Sequence, residues 1–151
     1  MEIRKIREED RGELFEMMRV FYDSPALIHK SSDRVLMRDI DACLSDCPFV
    51  EGYLFVDDKG TAGYSMVSKS YTTEYGGICV WVEDLYIKED RRGLGYASRL
   101  FDFLEERYPE AVRFKLEVER ENEHAVAVYK KKGYAVSEYF LMTKERDKDE
   151  R

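Results

Sequence analysis

Apolar positions recur along the chain with two periods, and the switches between them divide it into elements. Residues 2–6 alternate isoleucine with charge and read as a short strand. Past an acidic stretch, Leu14, Phe15, Met18, Phe21 and Tyr22 fall at helical spacing, and Ser24-Pro25 ends that run. Val35, Leu36, Ile40 and Leu44 repeat the helical period up to Cys47-Pro48, where proline has no N–H with which to continue a helix. Residues 49–56, 61–69 and 78–87 are rich in β-branched and aromatic side chains. Asp57-Asp58-Lys59-Gly60 and Glu74-Tyr75-Gly76-Gly77 separate them as turns, which predicts an antiparallel meander.

After Gly93 the period changes again. Leu94, Ala97, Leu100, Phe101, Leu104 and Tyr108 share one helical face, which stops before Pro109. Val112, Phe114, Leu116 and Val118 then alternate with charge as a half-buried strand over residues 112–119. A fourth helix opens near Asn122, carries Ala125, Val126, Val128 and Tyr129, and closes with Lys130 to Lys132 and a glycine cap at Gly133. Residues 136–143 predict a final strand, and the charged tail 144–151 is expected to fray. The order β, α, α, three β, α, β, α, β implies a mixed, largely antiparallel sheet flanked by helices. Its one parallel unit, residues 78–118, should be a right-handed crossover.

Composition narrows the class. At 151 residues, with 44% apolar and 38% charged positions, the chain suits one soluble globular domain over residues 1–151, with no linker or repeat. The net charge of -7 argues against a nucleic-acid partner, whose phosphates require clustered cations, and leans toward a cationic substrate. The longest apolar run, residues 78–82, is far short of the roughly 20 residues a membrane span needs. Met1-Glu2-Ile3-Arg4 lacks the apolar segment of a signal peptide, so the protein reads as cytoplasmic, without membrane contact. Cys43, Cys47 and Cys79 are too few for a disulfide framework, and His29 and His124 stand at no metal-ligand spacing to them; no metal is expected.

The most specific stretch runs from Leu85, Tyr86 and Ile87 through Lys88-Glu89-Asp90 to Arg91, Arg92, Gly93, Leu94, Gly95, Tyr96 and Ala97: a strand, a charged turn, a glycine-rich helix start. Free N–H groups at such a helix start, with Arg91 or Arg92 nearby, suit the oxygens of a pyrophosphate; a tight turn alone would also use both glycines. Ser98 stands where a dinucleotide fingerprint wants its third glycine, and no Gly-Lys-Ser/Thr follows, so neither nucleotide motif fits.

These residues resemble the GNAT superfamily of acetyltransferases. Arg92-Gly93-Leu94-Gly95-Tyr96-Ala97 is similar to the family's Arg/Gln-x-x-Gly-x-Gly/Ala acetyl-CoA motif. Asn122 through Ala125 and Tyr129 to Gly133-Tyr134 is similar to its Asn-x-x-Ala-x-x-x-Tyr-x-x-x-Gly-Phe pattern, with Tyr134 in place of Phe. The resemblance runs from Ile3 to about Thr143 and is weakest over the first two helices, which in the family shape the acceptor site. It implies the GNAT acyl-CoA N-acyltransferase fold, acetyl-CoA as co-substrate and frequent homodimers. It further implies that the backbone of Leu85, Tyr86 and Ile87 pairs with pantetheine, and that Tyr129 protonates the departing thiolate. Asn122 is an N-cap or a CoA contact, and Lys131 with its neighbours either complements the helix end or meets the CoA 3'-phosphate.

Glu83-Asp84 interrupts an apolar strand with two carboxylates whose side chains should point to opposite faces; burying both is costly unless a bulge, partner or cavity accommodates them. A protonated amine, with a pKa near 10.4, is neutral in on the order of one molecule per thousand at pH 7, so a base is useful. Val82 to Tyr86 resembles the corresponding strand of polyamine acetyltransferases, which implies Glu83 as base, with Asp84 as its understudy. Tyr22, Asp23, Tyr71 and Glu74 lie in segments that border the family's substrate groove and could select a cation. The expected activity is transfer of acetyl from acetyl-CoA to a small cationic amine. A protein lysine or N-terminus as acceptor, or a non-catalytic acyl-CoA sensor on the same fold, are the alternatives.

Overall fold

The computed structural model describes residues 1–146. Strand β1 (Glu2–Lys5) leads through a short 3-10 turn at Glu8–Asp10 into α1 (Arg11–Asp23) and α2 (Asp33–Leu44). The meander comes next as β2 (Val50–Asp57), β3 (Gly60–Thr72) and β4 (Gly77–Ile87). A second 3-10 turn at Glu89–Arg91 then precedes α3 (Tyr96–Arg107), β5 (Ala111–Leu116) and α4 (Glu123–Lys131). The strands lie in the order β1-β2-β3-β4-β5, every neighbouring pair antiparallel except β4 with β5, which are parallel across the α3 crossover.

Strand alternation sends the apolar positions to both faces. Leu54, Tyr64 and Met66 meet Leu14, Met17, Met18, Leu36 and Ile40 of α1 and α2. Tyr53, Phe55, Val67, Val80 and Val82 meet Tyr96, Leu100, Phe101 and Leu104 of α3, with Tyr129 and Tyr134 at the margin. Cys79 is buried in the sheet, as its place in a strand core predicts. At Gly63 the β3 backbone passes so close to β4 that a Cβ would lie 2.1 Å from the carbonyl oxygen of Tyr86, so no larger residue fits.

Three sequence expectations change. Leu94, expected on the apolar face of α3, lies exposed in the loop before that helix, because Gly95 with its positive φ caps the helix after it. β5 ends at Leu116, leaving Glu117, Val118 and Glu119 outside the strand. The strand expected over residues 136–143 is not formed. Val136, Tyr139, Phe140, Leu141 and Met142 instead stand largely exposed beyond α4. Strand propensity measures how well a side chain fits an already pleated, half-buried surface, and among the described residues this segment pairs with no strand.

Candidate active site

β4 keeps two neighbours for only half its length. It pairs with β3 from Gly77 to Ile87, but with β5 only from Ile78 to Val82. Among the described residues the β5-facing edge has no ladder from Glu83 to Ile87, so none of them pairs as a strand with the backbone of Leu85, Tyr86 and Ile87 on that side. Where the two strands part, the β3–β4 register slips: Met66 faces Asp84 and Val67 faces Val82, leaving Glu83 without a partner. This is a β-bulge, and it resolves the cost of two adjacent carboxylates inside an apolar strand.

The bulge gives the two acids different surroundings. Glu83 is exposed and accepts a 2.5 Å hydrogen bond from the Ser68 hydroxyl. Asp84 turns inward, 4% exposed, where the hydroxyls of Tyr22 and Tyr64 donate to its two oxygens at 2.8 and 3.0 Å. Burial pushes the Asp84 carboxyl up to about 6 against the pull of those hydroxyls; the charges of Asp39 and Glu83 push the same way. Burial, then the Asp84 charge, raises both Tyr22 and Tyr64, so both hydroxyls stay protonated donors.

Asp39 of α2 is the residue that sequence reasoning missed. Half-buried, it makes no hydrogen bond or ion pair with any described side chain, and burial lifts its carboxyl to about 6 despite the neighbouring Arg38. The signal was present: Leu36, Asp39, Ile40 and Cys43 share one helical stripe, and an acid inside an apolar stripe is out of pattern. Asp39, Glu83, Asp84 and Tyr22 thus form one acidic neighbourhood linking the C-terminal end of α1, α2 and the bulge. Tyr71 and Glu74 do not join it. Tyr71 lies five residues beyond Met66 on β3, roughly 17 Å at strand rise, and both are exposed near the β3–β4 turn. Asp23 is held by Arg19 at 3.0 Å.

Beyond Ile87 the chain forms a cradle. Gly93 and Gly95 have φ of +77° and +84°, conformations that a side chain would strain, and open space surrounds both. Gly95 is the N-cap of α3, so the amides of Tyr96, Ala97 and Ser98 precede the first intrahelical bond, Arg99 N–H to Gly95 O at 3.1 Å. Leu94 is exposed on the same loop.

The two arginines divide their work. Arg91 is buried; it donates to Asp57 at 2.9 Å, and it also pairs with Asp90. The Tyr96 hydroxyl reaches the same Asp57 oxygen at 2.6 Å. These contacts tie the loop to the end of β2 and hold Asp57 down at about 2, chiefly through the Tyr96 hydroxyl. Arg92 is exposed and donates to the carbonyl of Ile87 at 3.1 Å, at the mouth of the cradle. Amides free of intrahelical bonds at a helix start, open space over two glycines, an exposed guanidinium and a free strand edge fit a diphosphate attached to an extended amide chain, which is the form of CoA.

Tyr129 packs edge-on against Phe101, ring centres 5.5 Å apart, and burial raises its pKa. Its hydroxyl has no partner among the described residues and is not sealed from solvent. Asn122 caps α4, its side chain accepting from the Ala125 amide at 3.3 Å. Lys132 fixes α4 to α3 through Asp102 at 2.7 Å, whereas Lys131 is exposed. Among the described residues there is no cluster of His, Cys, Asp and Glu able to hold a metal, and no helix long and apolar enough to cross a membrane.

Known proteins share this fold. The sequence model of the Acetyltransferase (GNAT) family matches residues 9–134. No curated protein matches the sequence. Among solved structures the chain is similar to a possible acetyltransferase from Clostridium difficile 630, with TM-score 0.82, 19% identity and 97% of each chain covered. It is also similar to the ribosomal-protein-alanine N-acetyltransferase from Brucella melitensis biovar Abortus 2308, with TM-score 0.72, 18% identity and 97% of this chain and 100% of that one covered. A third is AAC(6')-Iy in complex with the bisubstrate analog CoA-S-monomethyl-acetylneamine, with TM-score 0.77, 14% identity and 97% of this chain and 98% of that one covered. At these identities the solved structures speak for the shared fold, and the family match, spanning most of the chain, speaks for descent. The chain belongs to the GNAT family of acetyl-CoA-dependent N-acetyltransferases.

Proposed function

We propose that this enzyme acetylates the primary amine of a small cationic acceptor by direct attack on the acetyl-CoA thioester. The observation that carries the reading is the β4 bulge. It exposes Glu83 where the free strand edge begins and turns Asp84 toward Asp39 and Tyr22, and this gathering of carboxylates beside the free edge supports a cationic acceptor. Asp39 and Asp84 draw the ammonium form in, Tyr22 offers its ring face and hydroxyl, and Glu83 receives one N–H proton, directly or through water. The amine lone pair then forms the C–N bond to the acetyl carbon. Free N–H groups of β4 stabilise the oxygen charge that develops there. As the C–S bond breaks, the nitrogen loses its second proton to water and Tyr129 delivers its proton to the thiolate, regaining one from solvent; the phenol's raised pKa makes this assistance partial, since the thiol's reference value is about 8.5. Exposed N–H groups of α3 together with Arg92 hold the diphosphate, and Lys131 and Asn122 border the nucleotide end.

Mass-spectrometric detection of acetyl transfer to a panel of polyamines, amino acids, aminoglycosides and lysine peptides tests the reading. Transfer to a polycationic small amine, slowed about a hundredfold or more in Glu83→Gln, is the expected result. Transfer to lysine peptides alone would replace the acceptor class, and an undiminished Glu83→Gln rate would remove that residue as base.

A further inference from the structure

The sheet face that carries the acidic neighbourhood continues past it onto β5, and there its charge reverses. Ile78, Val80 and Val82 of β4 pack toward α3, as do Phe114 and Leu116 of β5. Strand alternation therefore turns Cys79, Trp81, Arg113 and Lys115 to the opposite face, the one that α1 and α2 cover over β2 and β3. No β5 residue joins the core under those two helices, so this end of the face is open.

Two cations stand on it. Lys115 Nζ lies 4.7 Å from the centre of the Trp81 ring, and the Arg113 guanidinium lies 4.4 Å from that of Tyr75. Their charges converge on Cys79, which faces Arg113 in the register, and offset part of the rise that burial gives its thiol. Both are half-buried, yet neither forms an ion pair or a side-chain hydrogen bond among the described residues. Elsewhere in the fold cations find carboxylates: Arg4 meets Asp10, Lys88 meets Glu13 and Lys132 meets Asp102. Glu83, on the same face, is taken by the Ser68 hydroxyl. Arg113 and Lys115 stand two positions apart on one strand face, roughly 7 Å, so each charge opposes the other until an anion joins them.

The position of that anion separates it from the phosphates of CoA. The glycine-rich cradle begins beyond Ile87, roughly 20 Å along β4 from Trp81 at strand rise. Glu83, by contrast, follows Trp81 on the same face at roughly 7 Å, a spacing that a short carbon chain spans. Anion and amine therefore belong to one acceptor.

We infer that Arg113 and Lys115 form a carboxylate-binding shelf. The acceptor is then a basic amino acid whose side-chain amine enters the acidic neighbourhood while its carboxylate rests on the two cations. The inference rests on the acetyl-transfer reading and narrows its acceptor, from small cationic amines to those that also bear a carboxylate. The guanidinium fork matches two carboxylate oxygens, and the Lys115 ammonium adds a point charge beside it. A diamine of the same length gains nothing from the shelf, and an ammonium at its far end is repelled there.

The test compares kcat/KM for lysine, lysine amide and cadaverine. All three present the same side-chain amine, with a carboxylate, a neutral amide or a hydrogen at the far carbon. Hydrogen bonds to a charged group carry about tenfold to a hundredfold, so lysine should exceed the other two by that factor, with the product acetylated on the side-chain amine. In Arg113→Gln/Lys115→Gln the ratio of lysine to cadaverine should fall toward one; a ratio taken on one preparation does not depend on how much of it is folded. Equal kcat/KM for lysine and cadaverine, or a lysine preference that the variant leaves intact, overturns the shelf and leaves the acceptor a cationic amine. A product acetylated on the α-amine overturns it as well. Transfer to none of the three overturns the shelf and the small-amine reading together.

Discussion

Replacing Asp84 by asparagine keeps the shape of a buried side chain and removes its charge. The carboxyl stands at about 6 against an ordinary 3.8, because burial outweighs the hydrogen bonds from Tyr22 and Tyr64. A carboxyl whose pKa is higher folded than unfolded holds its proton more tightly in the folded chain. Its favourable contribution is therefore complete below about pH 4, falls as pH rises to 6, and is flat above that. A rise from 3.8 to about 6, at about 1.4 kcal/mol per pH unit, amounts to about 3 kcal/mol. Asp10, Glu13, Glu51 and Asp57 are shifted the opposite way and lose stability only at more acid pH, equally in both proteins. Asp39 shares the window and its charge pushes Asp84 upward, so the difference between wild type and Asp84→Asn reads residue 84 together with its coupling to Asp39. Urea unfolding, followed by the single tryptophan, Trp81 on β4, reads that difference at several pH values. Asp84→Asn should gain about 3 kcal/mol relative to wild type between pH 4 and pH 7, and be the more stable protein at neutrality. A difference that does not change with pH would refute the reasoning: the two hydroxyls would then solvate the carboxylate fully, and its charge would cost nothing.

Other outcomes rest on the same geometry. Tyr129→Phe should lower kcat about tenfold to a hundredfold with little change in melting temperature, because its hydroxyl has no partner to lose among the described residues; an unchanged kcat in steady-state assay would leave the ring as packing alone. Gly95→Ala meets no neighbouring atom but strains a φ of +84° by about 1 kcal/mol, so the KM for acetyl-CoA should rise with kcat nearly constant. Since Asp39 and Asp84 both ionise near pH 6, the KM for a primary amine that carries a separate quaternary ammonium group should fall as pH rises through 6 while that for acetyl-CoA stays level; two parallel profiles would detach the pair from the acceptor.

The fold was legible wherever local chemistry and tertiary setting agreed. The meander could be read from Gly60 and Gly76-Gly77, and α3 from one apolar face between Gly95 and Pro109, because turn residues and periodicity act within a few positions. The final strand could not be read correctly. Residues 136–143 have the composition of a strand, but a strand exists only against an edge, and the composition of one segment does not say where that edge lies. The glycine-rich cradle was legible as a motif, yet Arg91 and Arg92 were indistinguishable until Asp57, thirty-four positions before Arg91, was seen to hold the first and leave the second exposed.

The acidic neighbourhood falls between these extremes. Two adjacent acids in an apolar strand announce that one must escape the core or be accommodated in it, and the bulge is how this chain does both at once: Glu83 out, Asp84 in. Asp39 gave a fainter signal, because a helix tolerates a polar residue at the margin of its stripe far more readily than a strand tolerates two charges in its middle. A fold selected for stability alone would replace both Asp39 and Asp84, whose ionised forms burial disfavours. Retaining them is intelligible if a cation arrives from outside. The charge that destabilises the empty site then becomes the attraction that fills it, and the same two tyrosine hydroxyls that keep Asp84 in place fix where the attraction is felt.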